Sequence, residues 1–129
     1  MKKKPHVRVG CVQAAPVYFD LEKTVEKGIR LVEEAAGNGA WLVAFPEVWI
    51  PGDPLFAWLN APIQTLLHMP GYRDNAFVVG GEHDLALRRA ACESGIHVCR
   101  ATPSASAAAS TWARCSSRRR ESHSSSAAR

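Results

Sequence analysis

Residues 39–54 read Gly-Ala-Trp-Leu-Val-Ala-Phe-Pro-Glu-Val-Trp-Ile-Pro-Gly-Asp-Pro, and they restrict the fold more than any other stretch. Residues 41–45 are an unbroken apolar run, the pattern of a short strand buried on both faces. Pro46 cannot donate to a sheet ladder, so the strand should end there. Glu47 follows at once, and Pro51, Gly52 and Pro54 then force a turn. Ligands of open α/β sheets bind in the crevice at the carboxyl ends of the strands. A carboxylate delivered there, among Phe45, Val48, Trp49 and Ile50, suits a general base. The rival reading is a solvated loop residue or a member of a structural ion pair. Two Trp and three Pro in sixteen residues are unusual for a solvated loop and argue against it.

The flanking sequence supplies the partners such a strand needs. Residues 6–15 read as a first strand, with Val7, Val9, Cys11 and Gln13 on one side and Val12 and Ala14 on the other. Cys11 is expected in the core as an inert thiol, since nothing near it in sequence would activate it. Pro16 ends that strand. Asp20 is placed to cap a helix. Leu21, Val25, Ile29, Val32 and Ala36 then recur at helical spacing. Glu22, Glu26, Glu33 and Glu34 fall on its solvated side, and residues 37–39 stop it. Strand, helix, strand at these lengths is a parallel crossover unit.

Residues 55–67 are apolar and aromatic, and the spacing predicts a short helix and an irregular segment broken at Pro62. They pack under the turn or line a pocket. His68 has no carboxylate or second His at ligand spacing, so no metal is expected there. Residues 82–93 read as a further helix with Leu85, Ala86, Ala90 and Cys92 among its less polar positions, and Arg88 and Arg89 solvated. His83 and Asp84 are sequence neighbours and do not face each other on a helix, so they are not read as a dyad. Gly95 stops the helix, and residues 96–99 begin a third strand in which His97 is a satisfied histidine.

Charge divides the chain. Residues 1–99 hold 10 Lys plus Arg against 11 Asp plus Glu, a balance of −1, whereas residues 100–129 hold 6 Arg against one Glu, a balance of +5. The formal +4 therefore comes wholly from the last thirty residues. A basic tail can bind nucleic acid, but no basic face or aromatic stacking pattern elsewhere supports that partner. No apolar run has the length of a membrane span, and no leader with a small-residue cleavage site is read at the start. The cysteines at 11, 92, 99 and 115 lack metal spacing, and their scatter suits a reducing cytoplasm. From Arg100 onward Val, Ile, Leu, Phe, Tyr, Met and Gly are absent. Such a segment buries too little to order itself, and a disordered Ser/Ala/Arg tail is expected.

The stretch 39–54 resembles the glutamate motif of the nitrilase branch of the carbon–nitrogen hydrolases: Gly39, Leu42, Val43, Phe45, Glu47, Ile50, Gly52 and Pro54 fit it. Asp53 stands where that family usually carries Tyr. The Gln-Ala-Ala-Pro-Val ending of the first strand and the Asn75-Ala-Phe-Val-Val-Gly segment are also similar to the family. The resemblance covers residues 6–99, a partial domain corresponding to roughly the first third of a member. It implies an α/β fold, the N-terminal part of an αββα sandwich that dimerises through helices, followed here by the disordered tail of residues 100–129. It also implies that one face of the sheet lacks its partner and is apolar.

The activity implied is hydrolysis of a carbon–nitrogen bond through a Cys thiolate, with a Glu as general base, a Lys stabilising developing charge, and no metal or organic cofactor. Glu47 takes the base role, and Trp49, Pro51, Asp53 and Phe56 are the pocket candidates. The substrate is a small nitrile or amide, and a homo-oligomer is implied. The Arg-Lys-Leu context of the Lys and the Cys-Trp-Glu context of the nucleophile do not occur, and Cys115 sits in Arg-Cys-Ser-Ser. The chain is therefore expected to be inactive alone. Two rivals stand: an amidase or carbamoylase of the same superfamily, against which the Trp49 and Pro51-Gly52 turn argues, and a non-catalytic module binding a partner through its open sheet face or basic tail.

The tail has a sharper reading. Taking the last base of each codon from Arg100 with the first two of the next, synonymous choices give Gly-Tyr-Ser-Glu-Arg-Val-Gly-Gly-Ser-Leu-Tyr-Met-Gly-Gln-Val-Leu-Ile. That resembles the family's continuation, so residues 100–129 are read as an out-of-frame translation.

Overall fold

The computed structural model describes residues 6–102 and 109–113. Four strands form one mixed sheet in the order β1-β2-β3-β4, with β1 Val9–Cys11, β2 Leu42–Ala44, β3 His97–Thr102 and β4 Ala109–Ala113. The first three run parallel, with Gly10 opposite Val43 and Val43 opposite Val98. β4 returns antiparallel along β3, pairing Arg100 with Thr111. Four helices lie between strands: α1 Leu21–Gly37, α2 Phe56–Leu59, α3 Pro62–Asp74 and α4 Glu82–Glu93.

α1 forms for the reasons its sequence gives. The Asp20 carboxylate accepts the Lys23 N–H at 2.9 Å, satisfying one of the first-turn donors. Val25 and Val32 are buried and Glu22, Glu26, Glu33 and Glu34 are exposed. The Asp20–Lys23 pair holds the carboxyl below its ordinary range through the side-chain hydrogen bond first.

α1 and α4 pack on each other and on the same face of the sheet, giving two layers. The core has two parts. Val32, Val43, Ala91, Ile96 and Val98 meet between helices and strands, and Val25, Trp49, Ile50, Phe77 and Leu87 meet beyond the strand ends. Among the described residues no helix covers the other sheet face. The odd-numbered residues of β1 show it: Val9 is 52% exposed and Cys11 is exposed, while Gly10 between them is half-buried. Cys11 is thus not the core thiol its sequence suggested. The strand alternates as expected, but its thiol side faces the uncovered surface. The same cause corrects the reading of β2: Val43 is buried and Leu42 and Ala44 are only half-buried, so the strand is covered on one face rather than two.

Several boundaries also move. The first strand is three residues rather than ten, although Trp41 N–H to Arg8 O and Val12 N–H to Ala44 O continue the pairing on either side. Pro62 does not break a helix but starts one, at the position where a missing N–H costs nothing, so the irregular segment is α3. In α4 the leucine facing the core, with Ala90 and Ala91, is Leu87, 4% exposed, and Leu85 is 53% exposed. β3 runs three residues past Cys99. β4 lies within the segment expected to be disordered; main-chain bonding to β3, which needs no apolar side chains, carries it. The remainder of that segment, residues 103–108 and 114–129, lies outside the described residues.

The register of α4 gives a direct check. Leu87→Ala should cost about 2–5 kcal/mol in denaturant unfolding, and Leu85→Ala should stay within about 0.5 kcal/mol of the parent.

Candidate active site

β2 ends at Ala44, and the chain leaves it in a fixed direction. Phe45 N–H donates to Cys99 O at 2.9 Å and Val48 N–H to Ala101 O at 3.3 Å, so the turn is tied to β3. Trp49 and Ile50 then drop into the core, each 5% exposed. The indole Nε1–H of Trp49 donates to Ala14 O at 2.6 Å, and its ring stacks tilted on Phe45 at 4.8 Å. Gly28 of α1 makes room for that ring, since a Cβ there would lie 3.2 Å from it. Gly52 has φ +111°, and a Cβ on it would meet the Tyr18 ring at 2.8 Å. The segments following β1 and β2 therefore press together at the carboxyl end of the sheet.

Glu47 sits on this turn, three residues beyond the tip of a central strand, as its sequence placed it. Its surroundings differ from expectation. The side chain is exposed, because Trp49 turns away from it into the core and Phe45 is half-buried beside it. The crevice between the turn and β3, lined by Phe45, Trp49, Ile50, Leu87, Val98, Arg100 and Ala101, encloses about 10 Å³. That is room for one water and not for an organic substrate. Of the pocket candidates, Trp49 and Pro51 are buried, Phe56 is half-buried and Asp53 is exposed. Phe56 belongs to an aromatic group with Phe19 at 6.0 Å, His68 at 5.5 Å and Tyr72 at 5.8 Å. Burial, and next the charge of Asp53, raises the Tyr72 hydroxyl pKa. His68 is thus an aromatic neighbour, and no metal-ligating cluster occurs among the described residues.

Sequence reasoning missed a second polar group nearby. Asp84 is fully buried on α4 and accepts from Gly80 N–H at 2.8 Å, Arg88 Nε at 3.0 Å and the Arg100 guanidinium. Arg100 lies 4.0 Å above the Phe77 ring, where a cation is attracted to the π face. Burial lowers its pKa and Asp84 opposes that shift. Arg88, expected to be solvated, is half-buried in this network; Arg89 is exposed as expected. The i,i+4 spacing of Asp84 and Arg88 was the available signal. Arg100 gave none, because its own segment looked unstructured.

The described residues thus form an α/β layer with a carboxylate beyond the tip of an inner strand, followed by a Pro-Gly turn. The family model described as carbon-nitrogen hydrolase matches residues 8–81, and the chain belongs to that family. Within it the similarity is to the nitrilase branch. A nitrilase of Pseudomonas syringae pv. syringae (strain B728a) is 44% identical over 95 residues, covering 74% of this chain and 28% of that protein. A cyanide hydratase of Alternaria brassicicola is 41% identical over 91 residues, 70% of this chain and 25% of its own length. An aliphatic nitrilase of Rhodococcus rhodochrous is 40% identical over 97 residues, 74% and 25% respectively. The chain thus matches about a quarter of the length of these relatives. Among the described residues no helix is long and apolar enough to cross a membrane.

The Asp84 network should behave as a unit. Arg100→Ala leaves a buried carboxylate short of a partner and should cost about 3–5 kcal/mol. Asp84→Asn with Arg100→Met should cost less than the two single changes added together. A double-mutant cycle by denaturant unfolding measures the coupling; strict additivity would show that the pair does not act together.

Proposed function

We propose that this chain carries the general-base portion of a nitrile-hydrolysing enzyme, with Glu47 as the base. The observation that carries the reading is the place of Glu47 at the tip of β2, in a motif shared with the nitrilase branch. In that chemistry a Cys thiol loses its proton to the carboxylate and the sulfur adds to the nitrile carbon, giving a thioimidate. Water adds to the thioimidate and ammonia leaves, giving a thioester. A second water, deprotonated by the same carboxylate, releases the acid and returns the thiol. The described residues contribute the base and its rigid turn. The 129 residues contain no Cys-Trp-Glu and no Arg-Lys-Leu, so the chain alone is proposed to have no turnover. Trp49 and Pro51 act by holding the turn from within. Phe56 and Asp53 are the candidates to meet a substrate.

A second reading is hydration of a nitrile that stops at the amide, favoured by the similarity to a cyanide hydratase. An amidase or carbamoylase has less support, since the relatives named above act on nitriles or cyanide by name. A small nitrile or amide as partner and a cytoplasmic location follow from the same reading. So does a domain over residues 6–99, which the pairing of Arg100 with Asp84 extends by at least one residue. The out-of-frame origin of residues 100–129 is part of the proposal, and an intact family-like frame in the coding DNA, with no base missing after codon 99, would refute it.

Replacing the matching part of the Pseudomonas syringae nitrilase with residues 6–99 tests the base. The chimera should release ammonia from a nitrile, and Glu47→Gln in it should lower kcat about 10²–10⁴-fold. The isolated chain should release no ammonia above its own Glu47→Gln control. A chimera indifferent to Glu47→Gln would defeat the assignment.

A further inference from the structure

Along an extended chain, residues two apart share a face. Val43 and Trp49 are buried, and Phe45 between them packs against both core groups. Glu47 belongs to the same odd-numbered series, yet it is exposed. The alternation is therefore broken between Glu47 and Trp49. Had it continued, the carboxylate would follow the indole inward, and an unpartnered carboxylate is among the costliest groups to bury.

Val48 makes the break. Its φ is +54°, in the left-handed region. Among the described residues Phe19, at φ +56°, is the one other non-glycine there. That backbone is unfavourable for any L side chain and most unusual for a β-branched one. It persists because the chain is held before, at and after the residue. Phe45 N–H is tied to Cys99 O at 2.9 Å. Val48 N–H donates to Ala101 O at 3.3 Å, and Val48 O accepts from Gly52 N–H at 3.0 Å. Trp49 is fixed by Ala14 O and by the notch at Gly28. Gly or Asn would take the same backbone with less strain. Backbone held against its own preference by its surroundings clusters at working sites, and here it adjoins the carboxylate at the tip of β2.

We propose, resting on Glu47 as the base, that left-handed Val48 is the positioning residue of that base. It turns the Glu47 carboxylate outward at the carboxyl end of the sheet while Trp49 anchors the same turn in the core. Val48 touches no reacting atom; it acts through the direction it gives to its neighbour.

Substitutions sorted by their tolerance of positive φ test this. In the full chain, Val48→Asn and Val48→Gly should keep the denaturant midpoint at or above the parent's, whereas loss of a half-buried valine from ordinary backbone lowers it. In the nitrilase chimera, Val48→Asn is the conservative change for this backbone and should hold kcat within about threefold of the parent. Val48→Pro cannot adopt positive φ and should lower kcat about 10²-fold. Its residual rate should also lose the acid limb of the pH profile, as in Glu47→Gln. A smaller folded fraction would scale that profile without changing its shape. Lowered midpoints for both the Asn and Gly variants, or a folded Val48→Pro chimera with the parent's kcat and pH profile, would overturn the proposal. If Glu47→Gln is inactive while Val48→Pro is not, the base assignment stands and its positioning by Val48 falls. If Glu47→Gln keeps the parent's kcat, both fall.

Discussion

The indole of Trp49 in the notch left by Gly28 is the contact from which the rest follows. It joins the turn after β2 to the middle of α1, and through Leu87 to α4. Its N–H reaches Ala14 O, so the chain after β1 is drawn to the same point. The turn after β2, the middle of α1, α4 and the chain after β1 thereby meet at one side chain. A ring that size buries on the order of 200 Å² and carries a single polar atom to satisfy. Removing Cβ from position 28 is what admits it, at the modest helix-propensity cost of a glycine. The carboxylate two residues before it inherits a fixed position without being buried itself.

β3 is held by its pairing with β2 and by Val98 in the apolar core, and a charge pair at Arg100 adds a further tie. Asp84 reaches to Arg100 across the gap between α4 and the strand, and to Gly80 across the entrance to the helix. Phe77 covers the guanidinium from one side. Full burial of such a carboxylate is tolerable only with this many donors. Shape complementarity around Trp49 and paired charge around Asp84 thus act side by side at this end of the sheet.

Much of this was legible from the residues. α1 announced its cap, its periodicity and its stop, and α4 its limits, because a single helix face decides each of them locally. The position of Glu47 at a strand tip was legible because Pro46 and the Pro-Gly turn leave few alternatives. Its exposure was not, because which way Trp49 turns depends on Gly28, twenty-one residues away. Pro62 was misjudged because the same residue breaks a helix from inside and starts one from its first turn. Cys11 was misjudged because alternation tells which residues share a side and not which side is covered. The partnership of Asp84 with Arg100, and the pairing of β4 to β3, are non-local, and composition alone pointed the other way.

That one-sided coverage gives the strands two separate rulebooks. Val43 and Val98 answer to volume: each must match the helices above it, and neither a bulkier nor a smaller residue fits without loss. Val9, Cys11 and Ala101, their alternates beneath, answer only to solubility and to whatever sheet or loop is laid against them. Polar replacements that would ruin the first row could leave the second row folded and better behaved in water. The molecule is therefore half interior and half unfinished surface, with the dividing line drawn down the middle of each strand by the pleat.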